Sequence, residues 1–268
     1  MFAARNGKVQ IKGIDMHYNV FGSGREDMVM IPGLSDGLRT VKGLARTMAM
    51  TYREFGRRYR VWIFSRREKL AQGMTTRDMA RELAEAMELV GIKQARVLGL
   101  SQGGMIGQWL AIDYPEKVSK LVIAVSLSRQ NPVIQSVIRE WIDLARSERY
   151  GDLAESSIEK TYTEKRLRRY RPFMFLIRLA GKPRSQERFI IQAQAVGTHD
   201  AYAQLGQIQC PTLVIGGAQD LVVGGPEVQE EMAEAIPESR LHIYPGLGHG
   251  AYEEAKDFNQ RMLSFFAD

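Results

Sequence analysis

Two stretches of the chain spell Gly-x-Ser-x-Gly: "GLSDG" around Ser35 and "GLSQG" around Ser101. A serine between glycines becomes a nucleophile when a sharp turn presents its hydroxyl and a base removes its proton, since an unassisted hydroxyl is weak at neutral pH. The turn makes mechanical demands: a strand that ends abruptly, a strained residue, and a helix that starts directly behind it. Ser101 meets them. The apolar run "ARVLGL" leads in, Gly99, Gly103 and Gly104 keep neighbouring backbone clear, and "MIGQWLAIDY" continues with a helical pattern. Ser35 also follows an apolar run, "DMVMI", but Gly33 and Asp36-Gly37 read as a loop, with the next helical pattern several residues later.

The base must be one of four histidines. His17 falls in an N-terminal hairpin, His199 at the end of a long helical stretch, and His242 inside "RLHIY", where a sheet fixes the side chain. His249 lies in "GLGHGAY", a glycine-flanked loop just beyond that run, from which it can reach a crevice at the strand ends. A neutral imidazole also needs a carboxylate to set its tautomer and to stabilise the imidazolium. Asp220, in "LVIGGAQDLVV", follows one apolar run as His249 follows the next. The plain readings are a turn-forming aspartate and a surface-loop histidine. Joint placement favours chemistry, because Ser101, Asp220 and His249 each come just after a different candidate strand, in that order.

The elements that must position these residues follow from hydrophobic patterning. Lys8 to Ile11 and Asp15 to Phe21 read as an antiparallel hairpin turning at Lys12-Gly13, with Met16, Tyr18 and Val20 on one face. Apolar runs at 27–31, 60–64, 95–100, 120–125, 212–217 and 240–244 read as strands buried on both faces, about eight strands in all with the hairpin. Between them the spacing predicts helices over Thr75 to Val90, Gln102 to Tyr114, Val228 to Ile236 and Glu253 to Phe266, the first opened by a capping-box-like Thr75/Asp78 pair and closed by Gly91. Strands alternating with helices imply an α/β fold with a mostly parallel sheet covered on both faces. Leu127 to Gly197 breaks the alternation: about seventy residues carry helical periods and no strand, which marks an inserted helical unit over 127–196 between core segments 1–126 and 197–268.

Composition narrows the function classes. With 44% hydrophobic and 25% charged residues the chain is an ordinary globular protein, with no repeat or low-complexity tract. No apolar run is long enough for a membrane span and the N-terminus lacks a signal-peptide core, so the expected location is cytoplasmic. Cys210 is the single cysteine, which excludes an intramolecular disulfide and a CxxC metal site. There is no phosphate-binding Gly-x-Gly-x-x-Gly after the first strand and no zinc-spaced histidine cluster, so neither cofactor nor metal is expected. The net charge of +6 is mild, and no nucleic-acid module accompanies it. Its concentration is notable: Lys160 to Arg188 carries ten Lys or Arg against Glu164 and Glu187.

At these residues the chain resembles the α/β-hydrolase family, over essentially all 268 residues: the hairpin, the elbow "GLSQGG", "PTLVIGGAQD", "YPGLGHGAYEE" and a helical cap inserted after the strand at 120–125. "GLSQGGMIGQWLAIDYPEKVSKLVIA" is most similar to small cap-bearing esterases, enol-lactonases and C–C bond hydrolases. The resemblance implies an eight-stranded sheet, and a Ser-His-Asp triad in which Ser101 attacks, His249 moves the proton and Asp220 orients it. It also makes "IPGLSDG" the oxyanion-binding loop, with the N–H groups of Leu34 and Gln102 as donors. Pro32 stands where relatives commonly have histidine, and "SRREKLAQGMT" (65–75) departs from an Asp-Arg-Gly-like turn. Serine at the elbow argues against dehalogenases and epoxide hydrolases, which resemble this motif but use aspartate there.

The expected partner is a small acyl compound: an ester, thioester or lactone. The cap residues Trp141, Tyr162, Tyr170, Phe173, Met174, Phe175 and Leu176 lie beside the basic cluster, either as an apolar pocket with cations for a substrate anion or as a packed surface with solvated charges. Acyl transfer to another acceptor, peptidase action, C–C hydrolysis and cofactor-free perhydrolysis use the same triad. A ligand-binding or signalling protein on a hydrolase scaffold is the alternative from a different class.

Overall fold

The computed structural model describes residues 3–268. Strands β1 (Ala4–Ile11) and β2 (Ile14–Phe21) form the hairpin, with Ala4 opposite Phe21 and Ile11 opposite Ile14. Lys12 and Gly13 turn it with φ of 50° and 75°, the mirror-type turn whose twist matches the strands. Met16 and Val20 are buried as the alternation requires, while the opposite face is covered too: His17 Nε2 lies 2.7 Å from Glu68, and Asn19 Nδ2 donates to the Val41 carbonyl at 3.0 Å.

The remaining strands are β3 (Asp27–Ile31), β4 (Arg60–Phe64), β5 (Ala95–Leu100), β6 (Val118–Ala124), β7 (Thr212–Gly217) and β8 (Ser239–Tyr244). They complete one eight-stranded sheet in the order β1-β2-β4-β3-β5-β6-β7-β8, parallel from β4 to β8. From β3 the chain crosses outward to β4 and then back past β3 to β5. The order therefore reverses at β3, and the loops after β3 and β5 meet at the carboxyl ends of neighbouring strands, where ligands bind in open α/β sheets. One expectation fails: β8 is an edge strand with Leu241 exposed, because nothing packs beyond it in the sheet order.

Period-two alternation distributes the strands' side chains over two layers. Val29, Ile31, Val97 and Ile123 pack on one face with Met79, Leu83, Ile106 and Leu110. Met28, Met30, Leu98 and Val122 pack on the other with Phe55, Phe258, Met262 and Phe266. The covering helices in the N-terminal half are α1 (Ser35–Leu38), α2 (Ala45–Thr51), α3 (Arg53–Gly56), α4 (Thr76–Leu89) and α5 (Gln102–Asp113). Thr75 caps α4 reciprocally with Asp78, and Gly91 beyond its end has φ of 79°.

Between β6 and β7 lie α6 (Pro132–Arg146), α7 (Tyr150–Thr161), α8 (Glu164–Tyr170), α9 (Met174–Ala180) and α10 (Gln186–Gly197), and no strand. They build a third apolar cluster, in which Ile138, Trp141 and Val196 of the insertion meet Leu34, Met105 and Val222 of the core. The C-terminal helices are α11 (Pro226–Ala235), α12 (Ala251–Glu254) and α13 (Phe258–Ala267). The single helix expected over Glu253 to Phe266 is thus two. Ala255 leaves helical geometry with ψ of 121°, which frees Glu253 and Glu254 to bond Tyr162 and Thr163 while α13 turns Phe258, Met262 and Phe266 to the sheet.

Candidate active site

Ser101 is the single residue between β5 and α5, with φ of 53° and ψ of −117°. For a residue with a side chain this is strained backbone, held by a Ser101 N–H bond to the Ala124 carbonyl at 2.8 Å and by the Ser126 hydroxyl on the Ser101 carbonyl at 2.8 Å. The turn closes only because Gly103 has no Cβ: a methyl there would collide with the Ile31 carbonyl at the end of β3.

Three side chains then form one hydrogen-bonded line. His249 Nε2 lies 3.0 Å from Ser101 Oγ, and its Nδ1 lies 2.8 Å from Asp220 Oδ2. The other oxygen of Asp220 accepts the N–H groups of Val222 and Val223 at 2.8 and 2.9 Å. An ionised carboxylate only accepts, so Nδ1 carries the imidazole proton and Nε2 is left to take one from the serine hydroxyl. Asp220 and His249 are both buried. The loop bearing His249 is laced to the loop bearing Asp220 by Gln219 N–H on the Leu247 carbonyl, and to the insertion by Gly250 N–H on the Thr161 carbonyl.

The loop after β3 supplies donors on the facing side. Gln102 opens α5, so its N–H has no carbonyl one turn earlier, and the helix start favours negative charge nearby. Among the described residues neither this N–H nor that of Leu34 meets a protein acceptor. The expectation of a loop around Ser35 is corrected: Ser35–Leu38 makes one helical turn, closed by Gly37 N–H on the Leu34 carbonyl at 2.8 Å. Ser35 is exposed and has no histidine on its hydroxyl; His249 is on Ser101. Of the other histidines, His17 and His199 are held away from this line by Glu68 and Thr76 respectively, and His242 stays in β8.

Sequence reasoning missed a buried ionic cluster beneath the donor loop. Asp36 accepts from Arg188 of α10 at 2.5 Å and from the Arg66 N–H at 3.1 Å. The Arg66 guanidinium donates to the Pro32 carbonyl at 2.7 Å and to the Gln102 side chain at 3.0 Å, so it clamps the two segments that carry the free N–H groups. Burial opposes the charge of Asp36, but Arg188 and Arg66 outweigh it and hold its carboxyl below the ordinary range. Burial, reinforced by Arg188, lowers the Arg66 guanidinium to about 10. The visible signal was the doublet Arg66-Arg67 directly after a buried strand, in the segment that departs from the family pattern.

The basic cluster of the insertion does not face the serine. Arg168 and Arg171 pair with Glu164, Arg178 with Asp152 and Glu155, and Lys160 with Glu140, while Arg166 lies over Tyr162 and Tyr170. Of the aromatic residues singled out there, Trp141 lines the cavity at Ser101, whereas Phe173 and Phe175 are exposed. That cavity has a volume of about 290 Å³, floored by Ser101, His249 and Leu34 and roofed by Ile134, Ile138 and Trp141.

Comparison with known proteins gives the family. The family model described as alpha/beta hydrolase fold matches residues 28–256. The chain belongs to the α/β-hydrolase family. A 2-hydroxy-6-oxononadienedioate/2-hydroxy-6-oxononatrienedioate hydrolase of Pseudomonas sp is 27% identical over 263 residues, covering 94% of this chain and 92% of the relative. Among solved structures, this α/β-hydrolase superposes on an alpha/beta hydrolase enzyme from a Medee basin deep-sea metagenome library with a TM-score of 0.87, at 21% identity and 98% coverage of both chains. The enol-lactonase from Burkholderia xenovorans LB400 gives a TM-score of 0.79 at 20% identity, covering 98% of this chain and 100% of that one. The protein is a hydrolase, and no helix among its described residues is long and apolar enough to cross a membrane.

Proposed function

We propose that this hydrolase cleaves a small-molecule ester, thioester, lactone or related acyl bond through an acyl-enzyme on Ser101. The observation that carries the reading is the line Ser101–His249–Asp220, with contacts of 3.0 and 2.8 Å, opening into a cavity under the insertion. Ser101 Oγ attacks the carbonyl carbon as His249 Nε2 takes its proton. The carbonyl oxygen, now an anion, is held by the N–H groups of Leu34 and Gln102, an interaction worth roughly 3–4 kcal/mol of barrier per donor. His249 returns the proton to the leaving group, then activates water to release the acyl group from Ser101. Asp220, fixed by two backbone N–H groups, stabilises the imidazolium at each stage.

A fluorophosphonate probe and a panel of esters tests this. The panel includes an enol-lactone and is run beside 2-hydroxy-6-oxononadienedioate, which has no ester and reports C–C cleavage, because similar proteins carry those names. Stoichiometric labelling lost in Ser101→Ala and retained in Ser35→Ala is the expected result, with turnover reduced about 10⁴-fold or more in His249→Ala. Retained labelling of Ser101→Ala overturns the assignment.

A further inference from the structure

A second chamber, of about 450 Å³, adjoins the cavity at Ser101. The two share Leu34, Ser35, Arg39, Trp141 and Ser157 as walls, so the second begins where the donor loop meets α6 and α7. Its own walls are mostly apolar: Leu38, Leu153, Ala154, Ile158 and Phe189. Two cations also line it, Arg39 and Lys182, and among the described residues no carboxylate does.

Arg39 follows α1 in the core segment and Lys182 lies in the insertion, and both are exposed at the chamber's wall. Other cations of the insertion, Lys160, Arg168, Arg171 and Arg178, are paired with a neighbouring Glu or Asp. Among the described residues neither Arg39 nor Lys182 has a carboxylate partner, and the neighbour of Lys182 is the ring of Tyr150, 6.0 Å from Nζ. An apolar chamber with uncompensated positive charge on its wall fits a molecule of matching character: an apolar arm bearing an anion.

We infer that the second chamber takes the distal arm of the substrate, an apolar chain or ring carrying a carboxylate or phosphate, with Arg39 and Lys182 as its anion ligands. The inference rests on the acyl-hydrolase reading above for the position of the scissile carbonyl at Ser101. Arg168, Arg169 and Arg171 of the basic stretch line neither cavity.

The probes are p-nitrophenyl hexanoate, the mono-p-nitrophenyl ester of adipic acid and the matching ω-phosphonate. The wild-type protein should prefer one or both anionic esters in kcat/KM, and the two anionic arms distinguish a carboxylate from a phosphate ligand. Arg39→Gln and Lys182→Gln should each lower kcat/KM for the preferred anionic ester, through KM, about 5- to 10-fold more than for the hexanoate. Added salt should shrink the preference. Equal effects on charged and neutral esters, or no preference in the wild type, overturns the inference. Calorimetric binding of adipic acid monoamide to wild type and to the double variant reads the chamber without chemistry. Fluorophosphonate labelling of Ser101 reads the chemistry without the chamber, so failure of one is separable from failure of the other.

Discussion

The Asp36→Asn variant isolates the charge that lies beneath the donor loop. Asparagine keeps the volume and one acceptor oxygen but leaves Arg66 and Arg188, both buried, without a counter-ion. Removing one partner of a buried ionic cluster costs about 3–5 kcal/mol, since the remaining charge stays desolvated and uncompensated. Here two like charges remain, which places the expected loss at the upper end of that range. With a urea m-value of about 3 kcal/mol/M, the unfolding midpoint should fall by roughly 1.3–1.7 M. The double variant Asp36→Asn/Arg188→Met should recover part of the loss, because one of the two stranded charges is gone. The acid limb gives an independent reading. Asp36 has a lower pKa folded than unfolded, so its stabilisation is present above the unfolded carboxylate value of about 3.9 and is lost as pH falls through the folded value. In Asp36→Asn the stability curve should therefore be flatter below about pH 4. A midpoint shift of less than about 0.3 M, with an unaltered acid limb, would refute the claim that this carboxylate compensates the two arginines.

Two other predictions concern single residues. Gly103→Ala should abolish turnover and lower stability despite the better helix propensity of alanine, because its methyl meets the Ile31 carbonyl. Gly107→Ala, which meets the movable Leu121 side chain at 3.1 Å, should retain most activity; equal losses measured by esterase assay and thermal melt would contradict the packing argument. His199 is buried against Thr76 and Gln108, and burial pushes its pKa down to about 3. The unfolded chain takes up a proton there below about pH 6.5 while the folded one does not, so stability should decline from about pH 6.5 toward pH 3. His199→Asn should remove that slope in urea titrations, and an identical pH profile in the variant counts against it.

What the sequence disclosed depended on distance along the chain. The hairpin turn, the Thr75 cap and the elbow at Ser101 are built from neighbours, so residue types alone located them. The line from Ser101 to His249 spans 148 positions, yet strand order made it legible, because each residue follows its own parallel strand and parallel strands end on one side. No comparable rule brings Asp36 to Arg188, 152 positions away, since the orientation of an inserted helix is not written in strand order. The basic stretch left two readings open for a simpler reason. Counting charge over Lys160 to Arg188 left out Glu140, Asp152 and Glu155, the partners that neutralise Lys160 and Arg178. The edge position of β8 was hidden because "RLHIY" has the apolar content of a central strand.

Arg188 belongs to the insertion in chain order and to the core in the hydrogen bonds of its guanidinium, which go to Asp36 and the carbonyls of Arg66 and Arg67. For anyone recombining this fold, the seam between exchangeable parts therefore does not fall at the ends of the insertion. A graft that brings a foreign set of helices onto this sheet strips Asp36 of its strongest cation and unseats the segment that holds Leu34. A graft confined to α6 to α9 leaves the pair of Asp36 and Arg188 in place.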